Sequence, residues 1–541
     1  MPDDSAPASG GVGRPPPRPE ELGADQRRLL AYASAVGPEF DFALLVAAMG
    51  VDEERLAEQI EQLVHRGILV ERPGADRFAF VEEEYRGRVY RSLTESRLRV
   101  LHRKIAEVLE RMHPEPSPPI LAELGRHYFL GKVPPKSYTY NRAAAEAARA
   151  ADDPESAASH LQRVLLDLAA LGGDRRREQA EVAEALGDLY YSMGSFTAAD
   201  RAFGEALDHL GTAQPRIRAR LLLARAEVAR ENLDVESAVR GALAAQKLFE
   251  EAGDRLGTAQ TYRLLGRLEF QRGAYREALD ESMRALEQLG GARDVRFLGR
   301  LSIDIGNSFA LLGPEVRSVA IEWYERAVDR LREARDWVEL ARAYHNLGVA
   351  VGEGRPADGL EYLDKARAAG ERAHDARSAG RALLSGVEMR LALGQLEEAE
   401  RDNEQAGRLL GRLSDDLGLE QIVQNRGLIA EKRGQWEEAE RAYEQASEMC
   451  ERLRLPADRA EVEFHLARLR YKTRNFEGAR AAYRTAASLG ITEVRPQLSA
   501  GFEELGRQLA LAEASPGTDG TAPSATANER RTDEDYKAGP G

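Results

Sequence analysis

The side chains that most often carry out catalysis or hold metal ions are sparse and scattered in this sequence. It contains one cysteine, Cys450, and nine histidines. No His, Cys and Asp residues recur with the spacing of a metal site, and His102 and His113, for example, are eleven positions apart. No Gly-x-Ser-x-Gly sequence offers a nucleophilic serine. These patterns predict no catalytic residues and no metal, so we expect a protein that is not an enzyme.

Carboxylate pairs and phosphate-binding loops are two further carriers of chemistry. Glu397-Glu398 and Glu437-Glu438 each begin a predicted helix, where negative charge complements the helix dipole. No Gly-x-x-x-x-Gly-Lys-Ser/Thr loop is present, and the nearest sequence, Gly131-Lys132-Val133, lacks both the loop and the hydroxyl residue. We therefore expect no nucleotide and no other cofactor, and a function that depends on binding surfaces.

The composition fits a helical protein of the cell interior. Of the 541 residues, 31% are charged and 6% are aromatic, and the net charge is −15. A modest excess of negative charge argues against a protein whose whole surface binds nucleic acid. The first twenty residues lack the apolar core of a signal peptide, and no apolar run approaches the ~18 residues that cross a membrane. Together with the single cysteine, these features predict a cytoplasmic protein without membrane contact.

A repeat of about 40 residues is the strongest pattern in the chain. Its clearest copy has Gly187 in a first helix, and Ala199, Phe203 and Ala206 in a second helix. The closing alanine of the copy returns at intervals of 39 to 42 residues, at Ala206, Ala245, Ala285, Ala327, Ala366, Ala406, Ala446 and Ala486. A weaker unit around Ala145, Ala157 and Val164 precedes them.

The residue types of the repeat suggest how the helices pack. Small residues let the two helices of one unit approach closely where they cross. We expect the aromatic residues, such as Phe203, to fill the gap between neighbouring units. One unit has extra residues before Ala320, which predicts a longer internal turn at Gly313-Pro314.

These residues resemble the tetratricopeptide-repeat (TPR) family over about 350 residues of the chain. The segment Ala341-Arg342-Ala343-Tyr344-His345-Asn346-Leu347-Gly348 is similar to the opening of the long repeats in LGN-type and kinesin-light-chain-type scaffolds. The resemblance implies an all-α fold, a TPR superhelical solenoid of about eight to nine repeats. It also implies a groove that is lined by the first helix of each repeat.

In TPR proteins the groove-facing side chains lie six, three and two residues before the small residue, and one residue after it. The resemblance thereby predicts a set of partner-binding residues, which are Arg263, Arg267, Arg300, Asn307, Arg342, Asn346, Gln421, Asn425 and Arg468. Arg and Asn side chains bond the backbone or the carboxylates of a peptide. We expect the groove, residues 260–470, to bind an extended or helical segment that is at least partly acidic. In the alternative, these side chains are solvated or bond neighbouring helices.

The N-terminal region differs from the repeats. Helices are predicted at 24–36, 41–49 and 53–66, followed by two short apolar runs around Pro73-Gly74, which is the element order of a winged-helix domain. Two more helices, at 83–93 and 95–111, complete the region. Segments such as Gly37-Pro38-Glu39-Phe40-Asp41 look like the winged-helix module of STAND-type signalling ATPases, in which it links an NTPase core to a TPR sensor. The resemblance implies a regulator of that kind without its NTPase core.

The sequence thus predicts five segments. They are a disordered tail at 1–20, a winged-helix-like domain at 21–112, a linker with a short helix at 113–139, the TPR solenoid at 140–511 and a second disordered tail at 512–541.

The charges of the N-terminal domain bear on nucleic-acid binding. The third predicted helix, with which winged helices read DNA, holds five carboxylates against two arginines over residues 52–66, and this net charge of −3 repels phosphate. A basic patch follows over residues 85–104, and its members are Arg86, Arg88, Arg91, Arg97, Arg99, Arg103 and Lys104. The patch either contacts nucleic acid or an acidic protein, or is a solvated face paired with nearby acids.

We therefore predict a non-enzymatic scaffold or adaptor in signalling or regulation, with a partner protein or peptide in the TPR groove. The alternative is a transcription regulator whose winged helix binds DNA and whose repeats sense a peptide or protein. The acidic third helix favours the first of these two functions.

Overall fold

The computed structural model describes residues 17–73, 76–212, 214–291, 294–413, 415–495 and 498–514. It divides into two compact units, Met1–Leu268 and Glu269–Gly541, and each is described by itself. Most of the two predicted disordered tails, 1–20 and 512–541, lies outside the described residues. The described parts of those tails include a 3-10 helix at Pro19–Glu21 and the end of the last helix.

The first part of unit 1 combines five helices with a small sheet. Its elements are α1 (Ala24–Val36), β1 (Glu39–Asp41), α2 (Phe42–Met49), α3 (Glu53–His65), β2 (Leu69–Glu71), β3 (Arg77–Phe80), α4 (Glu83–Arg91) and α5 (Glu95–Met112). The strand order is β1-β3-β2, and both pairings are antiparallel, with Phe40 opposite Phe78 and Val70 opposite Ala79.

Capping and burial explain this arrangement. The Asp52 carboxylate accepts the backbone N–H of Arg55 and so begins α3, as its position before the apolar pattern predicts. Leu45, Leu56 and Leu101 come from three different helices and are fully buried in one core with the sheet. The strand β1 has only three residues, and it joins the sheet through β3.

The rest of unit 1 is a series of helices. They are α6 (Pro118–Leu130), α7 (Pro134–Ala150), α8 (Pro154–Leu171), α9 (Arg176–Ser192), α10 (Phe196–Leu210), α11 (Pro215–Glu231), α12 (Val235–Glu251) and α13 (Arg255–Gln271), whose last residues belong to unit 2. Helix α6 packs on α5 and α7, and the pairs α7–α8, α9–α10 and α11–α12 follow. The pair α7–α8 holds the weaker unit that the sequence predicts around Ala145 and Ala157.

Unit 2 continues in the same way. Its helices are α14 (Tyr275–Leu289), α15 (Val295–Leu312), α16 (Arg317–Ala334), α17 (Trp337–Gly352), α18 (Pro356–Arg372), α19 (Ala376–Ala392), α20 (Leu396–Gly411), α21 (Asp416–Lys432), α22 (Trp436–Leu453), α23 (Pro456–Lys472), α24 (Phe476–Ser488), α25 (Ile491–Val494) and α26 (Ser499–Ala514). The pairs α15–α16, α17–α18, α19–α20, α21–α22 and α23–α24 pack closely, and each also contacts the next. The predicted turn at Gly313-Pro314 is present as a 3-10 helix, Pro314–Val316.

Small residues allow the close crossing in each pair. A Cβ atom on Gly187 would lie 2.4 Å from the ring of Phe203, and one on Gly427 would lie 2.6 Å from Tyr443. The aromatic ring therefore fills the crossing of its own helix pair, a contact that the sequence analysis placed between neighbouring units. The closing alanines Ala206 and Ala446 are fully buried. The fold is an all-α, TPR-like solenoid, as the repeat predicts.

None of the helices in the described ranges is both long enough and apolar enough to cross a membrane.

Candidate partner-binding face

The first helices of the repeats approach one another on one side of unit 2. Helix α15 contacts α17, α17 contacts α19, and α19 contacts α21, whereas no contact of similar extent joins successive second helices in the described residues. The side that carries the first helices is therefore the concave side of unit 2. We call it the inner face, and its positions are those six, three and two residues before, and one after, the residue at the helix crossing.

Two of the predicted arginines meet carboxylates at the start of α17. Nη2 of Arg300 donates to Oδ2 of Asp336 over 3.0 Å, and its Nε lies 3.4 Å from Glu339. Arg342 donates to the same Glu339 over 2.9 Å. Asp336 is also the N-cap of α17, and its side chain is 10% exposed. The Asp336 carboxylate thus caps the first helix of one repeat and forms an ion pair with an arginine of the repeat before it.

Arg468 takes part in a second cluster of this kind, around Glu431. The Glu431 carboxylate is 7% exposed and lies 3.1 Å from Arg468 and 3.0 Å from Lys472, and it accepts the hydroxyl of Tyr443 over 3.0 Å. Burial alone would raise the pKa of Glu431, but the two cations and the hydroxyl outweigh it and hold the pKa below its usual value.

The predicted arginines of unit 1 lie on α13. Nη1 of Arg267 lies 3.2 Å from Glu227 of α11, 40 residues earlier in the chain. Arg263 likewise has a noncovalent partner, so it is not an unpaired cation. Arg267, Arg300 and Arg468 each bond a carboxylate of a neighbouring repeat, which is the alternative to peptide contact that the sequence left open.

The predicted asparagines form a different arrangement. Nδ2 of Asn346 donates to Oδ1 of Asn307 over 2.8 Å, and the Tyr324 hydroxyl donates to the same oxygen over 2.9 Å. Beside them, Nε2 of His345 lies 3.0 Å from the hydroxyl of Ser385 in the next repeat. These contacts place a ladder of polar groups along α15, α17 and α19. Amide and hydroxyl groups in such a row suit hydrogen bonding to a peptide backbone.

Asn425 continues the row on α21, at the position equivalent to Asn346. The residue is 1% exposed, and its Nδ2 has no hydrogen-bond partner in the ranges that the structure describes. Gln421, one turn earlier, is half-buried. An amide donor that is buried without an acceptor costs about 1–3 kcal/mol. A ligand that brings a carbonyl oxygen would recover that free energy.

The structure adds inner-face residues that the sequence analysis did not name. Glu388 on α19 follows Val387, so it holds the position that Asn307 and Arg468 hold in their repeats. It was missed because Val387 replaces the small residue from which the positions are counted. The 40-residue spacing from Gly427 back to Val387 is the signal that would have located it.

The Glu388 side chain is open to solvent, but the protein around it displaces part of the water that would hydrate its carboxylate. Burial, and then the charge of Glu461 on α23, raise its pKa to about 7, and the guanidinium of Arg495 opposes them. Burial would likewise raise the pKa of Glu461, but the neighbouring His465 and the hydrogen-bonded guanidinium of Arg495 bring it to about 2. Side chains from α19 and α23 thus converge across α21, as expected on a concave surface.

The predicted basic patch lies on α4 and α5 of unit 1. Its exposed members are Arg88, Arg91, Arg97, Arg99 and Arg103. Arg86 is half-buried, bonds Glu83 and donates to the backbone oxygen of Ser34 over 3.0 Å, and Lys104 lies 6.0 Å from the centre of the Tyr32 ring. Arg99 bonds Glu95, so part of the patch is paired with acids on its own helices.

A chain of buried polar groups connects α4, α5 and α6 in unit 1. Nη2 of Arg126 lies 3.0 Å from Nε2 of His127, Nδ1 of His127 lies 2.9 Å from Nδ1 of His102, and Nε2 of His102 lies 2.9 Å from the Tyr90 hydroxyl. Arginine can only donate, so Nε2 of His127 accepts. His127 must then donate from Nδ1 to His102, and His102 from Nε2 to Tyr90.

Every link of this chain requires neutral imidazoles. Burial, with the nearby charge of Arg126, lowers the pKa of His102 to about 4 and holds that of His127 well below its usual value. A second proton on either ring would place two N–H groups against each other. In the part of the chain that is described, no three or more His, Cys, Asp or Glu side chains are grouped to hold a metal ion.

The sequence matches no protein-family model, and a search of curated proteins also finds no match. Solved structures with similar folds exist. The chain is similar to a STAND protein with a tetratricopeptide repeat sensor from Pyrococcus horikoshii, at 13% identity and a TM-score of 0.43 over 86% of this chain and 66% of that one. It thus spans just under two thirds of that protein's length.

Two further structures are similar to this chain. One is aspartyl phosphate phosphatase F from Bacillus subtilis, at 14% identity and a TM-score of 0.45, covering 65% of this chain and 94% of that one. The other is the apo form of the quorum sensor NprR from B. thuringiensis, at 13% identity and a TM-score of 0.41, covering 58% of this chain and 99% of that one.

Proposed function

We propose that this chain is a non-enzymatic binding protein, a scaffold or adaptor in signalling or regulation, which holds a segment of a partner protein on the inner face of its repeats. One observation carries the proposal, namely that Asn425 is buried on this face with Nδ2 unpartnered. Most buried polar groups in proteins are hydrogen-bonded. A peptide carbonyl is the acceptor that this amide lacks, and the ladder from Asn307 to Ser385 would extend the contact.

The N-terminal region fits the same function. Its order of elements, α1-β1-α2-α3-β2-β3, and the antiparallel sheet β1-β3-β2 support a winged-helix module of the kind found in STAND-type regulators. In this proposal the module and the repeats form the docking and sensing part of a regulator, and the partner is an ATPase, a kinase or another regulated effector. Cys450 is buried and free, which fits a reducing, cytoplasmic location.

Affinity purification from the native host tests the proposal. The bait proteins are the wild type, Asn425→Ala, and Gln445→Ala as a control on the exposed side of the second helix α22. Because Nδ2 of Asn425 has no hydrogen-bond partner in the described part of the chain, its removal should leave the fold intact. We expect partners identified by mass spectrometry to be retained by the control and lost with Asn425→Ala, at about tenfold weaker binding. Equal recovery with all three baits would exclude the inner face as the binding site.

A second candidate function, nucleic-acid binding, is favoured by the five exposed arginines on α4 and α5. The test is a mobility-shift assay with the full chain and random double-stranded DNA at two salt concentrations. Salt-sensitive binding by the wild type that is lost with Arg91→Glu and Arg97→Glu together would support this candidate. No shift at low salt would remove it.

A further inference from the structure

The inner face of unit 2 carries an excess of negative charge near α23. Arg495, which follows α25, bonds Glu461 and Asp458, both over 2.7 Å. Its guanidinium is therefore already bonded to two carboxylates, neither of which is that of Glu388. His465 lies beside Glu461, with Nε2 at 3.9 Å from the carboxylate. Glu388 is thus a third carboxylate near a single arginine.

Glu388 also differs from its acidic neighbours in its ion pairing. Among the described residues no cation lies within ion-pairing distance of its carboxylate, although Arg495 is near enough to influence it. Its side chain is exposed, so an incoming group can reach it. The predicted arginines of the inner face differ in this respect, because Arg300, Arg342 and Arg468 already bond carboxylates. An acidic segment would compete with those internal bonds, whereas a basic one would meet, at Glu388, a carboxyl group with no ion pair to break among the described residues.

A second observation points to a ligand at the same place. Helix α21 contacts α19, which carries Glu388, and its Glu431 forms an ion pair with Arg468 of α23, the helix that carries Glu461. Asn425 lies at an inner-face position of α21, the residue is 1% exposed, and its Nδ2 is an amide donor with no hydrogen-bond partner among the described residues. The region therefore offers one carboxylate for a cation and one buried donor for a carbonyl oxygen. A peptide with a basic side chain carries both groups.

Building on the proposed function, we propose that the partner segment is basic at this point, with an Arg or Lys side chain that pairs with Glu388 and a backbone carbonyl that accepts Nδ2 of Asn425. Arginine fits best, because its planar guanidinium binds a carboxylate through two parallel hydrogen bonds. The charge preference is opposite to the acidic segment that the arginine pattern suggests.

Selection from a displayed library of random dodecamer peptides tests this preference. Peptides that bind the full-length wild type are sequenced, and the best is synthesised with its basic residue intact and with that residue changed to citrulline or Glu. Binding is measured by fluorescence anisotropy on the wild type, Glu388→Gln, Glu388→Arg, Asn425→Ala, and Glu325→Gln as a control at an exposed carboxylate of α16.

We expect Arg and Lys to be enriched at one position of the selected peptides. Glu388→Gln should weaken binding of the best peptide about tenfold or more, and the citrulline peptide should show a similar loss on the wild type. Glu388→Arg should bind the Glu peptide better than the Arg peptide, and Glu325→Gln should behave as the wild type.

The outcomes separate this inference from the proposed function. Peptides that need Asn425 but show no basic preference and no response to Glu388→Gln would overturn the basic subsite and leave the inner face as the binding site. If no selected peptide depends on Asn425, or no peptide is selected, both proposals fail. Binding to a membrane or to nucleic acid in place of peptides would also contradict both proposals.

Discussion

Two polar clusters, one in each unit, differ in whether their polar groups have partners within the protein. In unit 1 the chain from Arg126 through His127 and His102 to Tyr90 gives every ring nitrogen a partner, and its direction is fixed by the arginine. In unit 2, among the described residues, Nδ2 of Asn425 has no hydrogen-bond partner and no cation forms an ion pair with Glu388. The first cluster is complete without a ligand, whereas the second has the incomplete bonding of a site that receives one.

The largest effect should follow from His127→Leu. Leucine fills similar space but leaves Nδ1 of His102 without its donor, and it removes one of the two acceptors of Nη2 of Arg126, which keeps the backbone oxygen of Val36. We expect a loss of about 3 kcal/mol in the free energy of unfolding, since an unpartnered buried group costs about 1–3 kcal/mol and a lost hydrogen bond to a charged group about 1.5–3 kcal/mol. Urea unfolding followed by circular dichroism measures it, with the exposed His65→Leu in the same unit as the control. A loss as small as that of the control would show that the chain adds nothing to stability.

Acidification should weaken the same cluster by a smaller amount. The pKa of His102 is about 4 in the folded chain, whereas that of an unfolded histidine is about 6.5. Between these values the unfolded chain binds more protons, so stability falls as pH drops, by about 2 kcal/mol between pH 7 and pH 5 for this residue alone. The loss stops below the folded pKa.

Urea midpoints at pH 7 and pH 5 measure this dependence. His102→Gln should be less stable than the wild type at pH 7 but should lose less between the two pH values, whereas His65→Gln should follow the wild type. A His102→Gln variant with the full wild-type pH dependence would contradict the assignment of two neutral imidazoles.

Two buried asparagines allow a matched comparison with the smallest expected effect. Asn141 in unit 1 is fully buried, donates to the backbone oxygens of Gly125 and Ser137, both over 3.0 Å, and bonds His160. Asn425 is equally buried but has an unpartnered Nδ2. We expect Asn141→Ala to lose about 2 kcal/mol and Asn425→Ala less than about 0.5 kcal/mol. Equal losses in thermal or urea unfolding would mean that Asn425 has a structural partner.

The sequence predicts the repeats well because their cause is local. Closing alanines such as Ala206 and Ala446 are fully buried, and Gly187 and Gly427 lie at crossings where a Cβ atom would meet an aromatic ring, so the spacing is visible in the residue types themselves. The hairpin of β2 and β3 lies where the apolar runs on either side of Pro73-Gly74 predict it, although residues 74–75 are outside the described ranges. The strand β1 was missed, because three residues are too few to show an alternating pattern and its pairing with β3 is non-local.

The contacts in the candidate site are harder to predict from the sequence than the repeats are. The TPR resemblance selects positions on the first helices, but it does not show that Arg267 meets Glu227 or that Arg300 meets Asp336, since both bonds depend on how neighbouring repeats are placed. Glu388 was missed for want of a small residue before it. The pair His102 and His127 looks unrelated in sequence, because 25 residues and a helix boundary separate them. Peptide contact by the predicted groove residues stays a prediction.

The charged bonds between repeats also bear on how the chain is made. Arg300 and Asp336 are 36 residues apart, Arg468 and Glu431 are 37 apart, and Arg267 and Glu227 are 40 apart. A chain that leaves the ribosome at about 5–20 residues per second therefore gains both partners of such a bond within about 2–8 seconds of each other. A newly made repeat can therefore pack on the preceding repeat without waiting for a distant segment of the chain. Within each unit the protein is thus suited to folding in the order of its synthesis, with each new repeat using the previous one as its template.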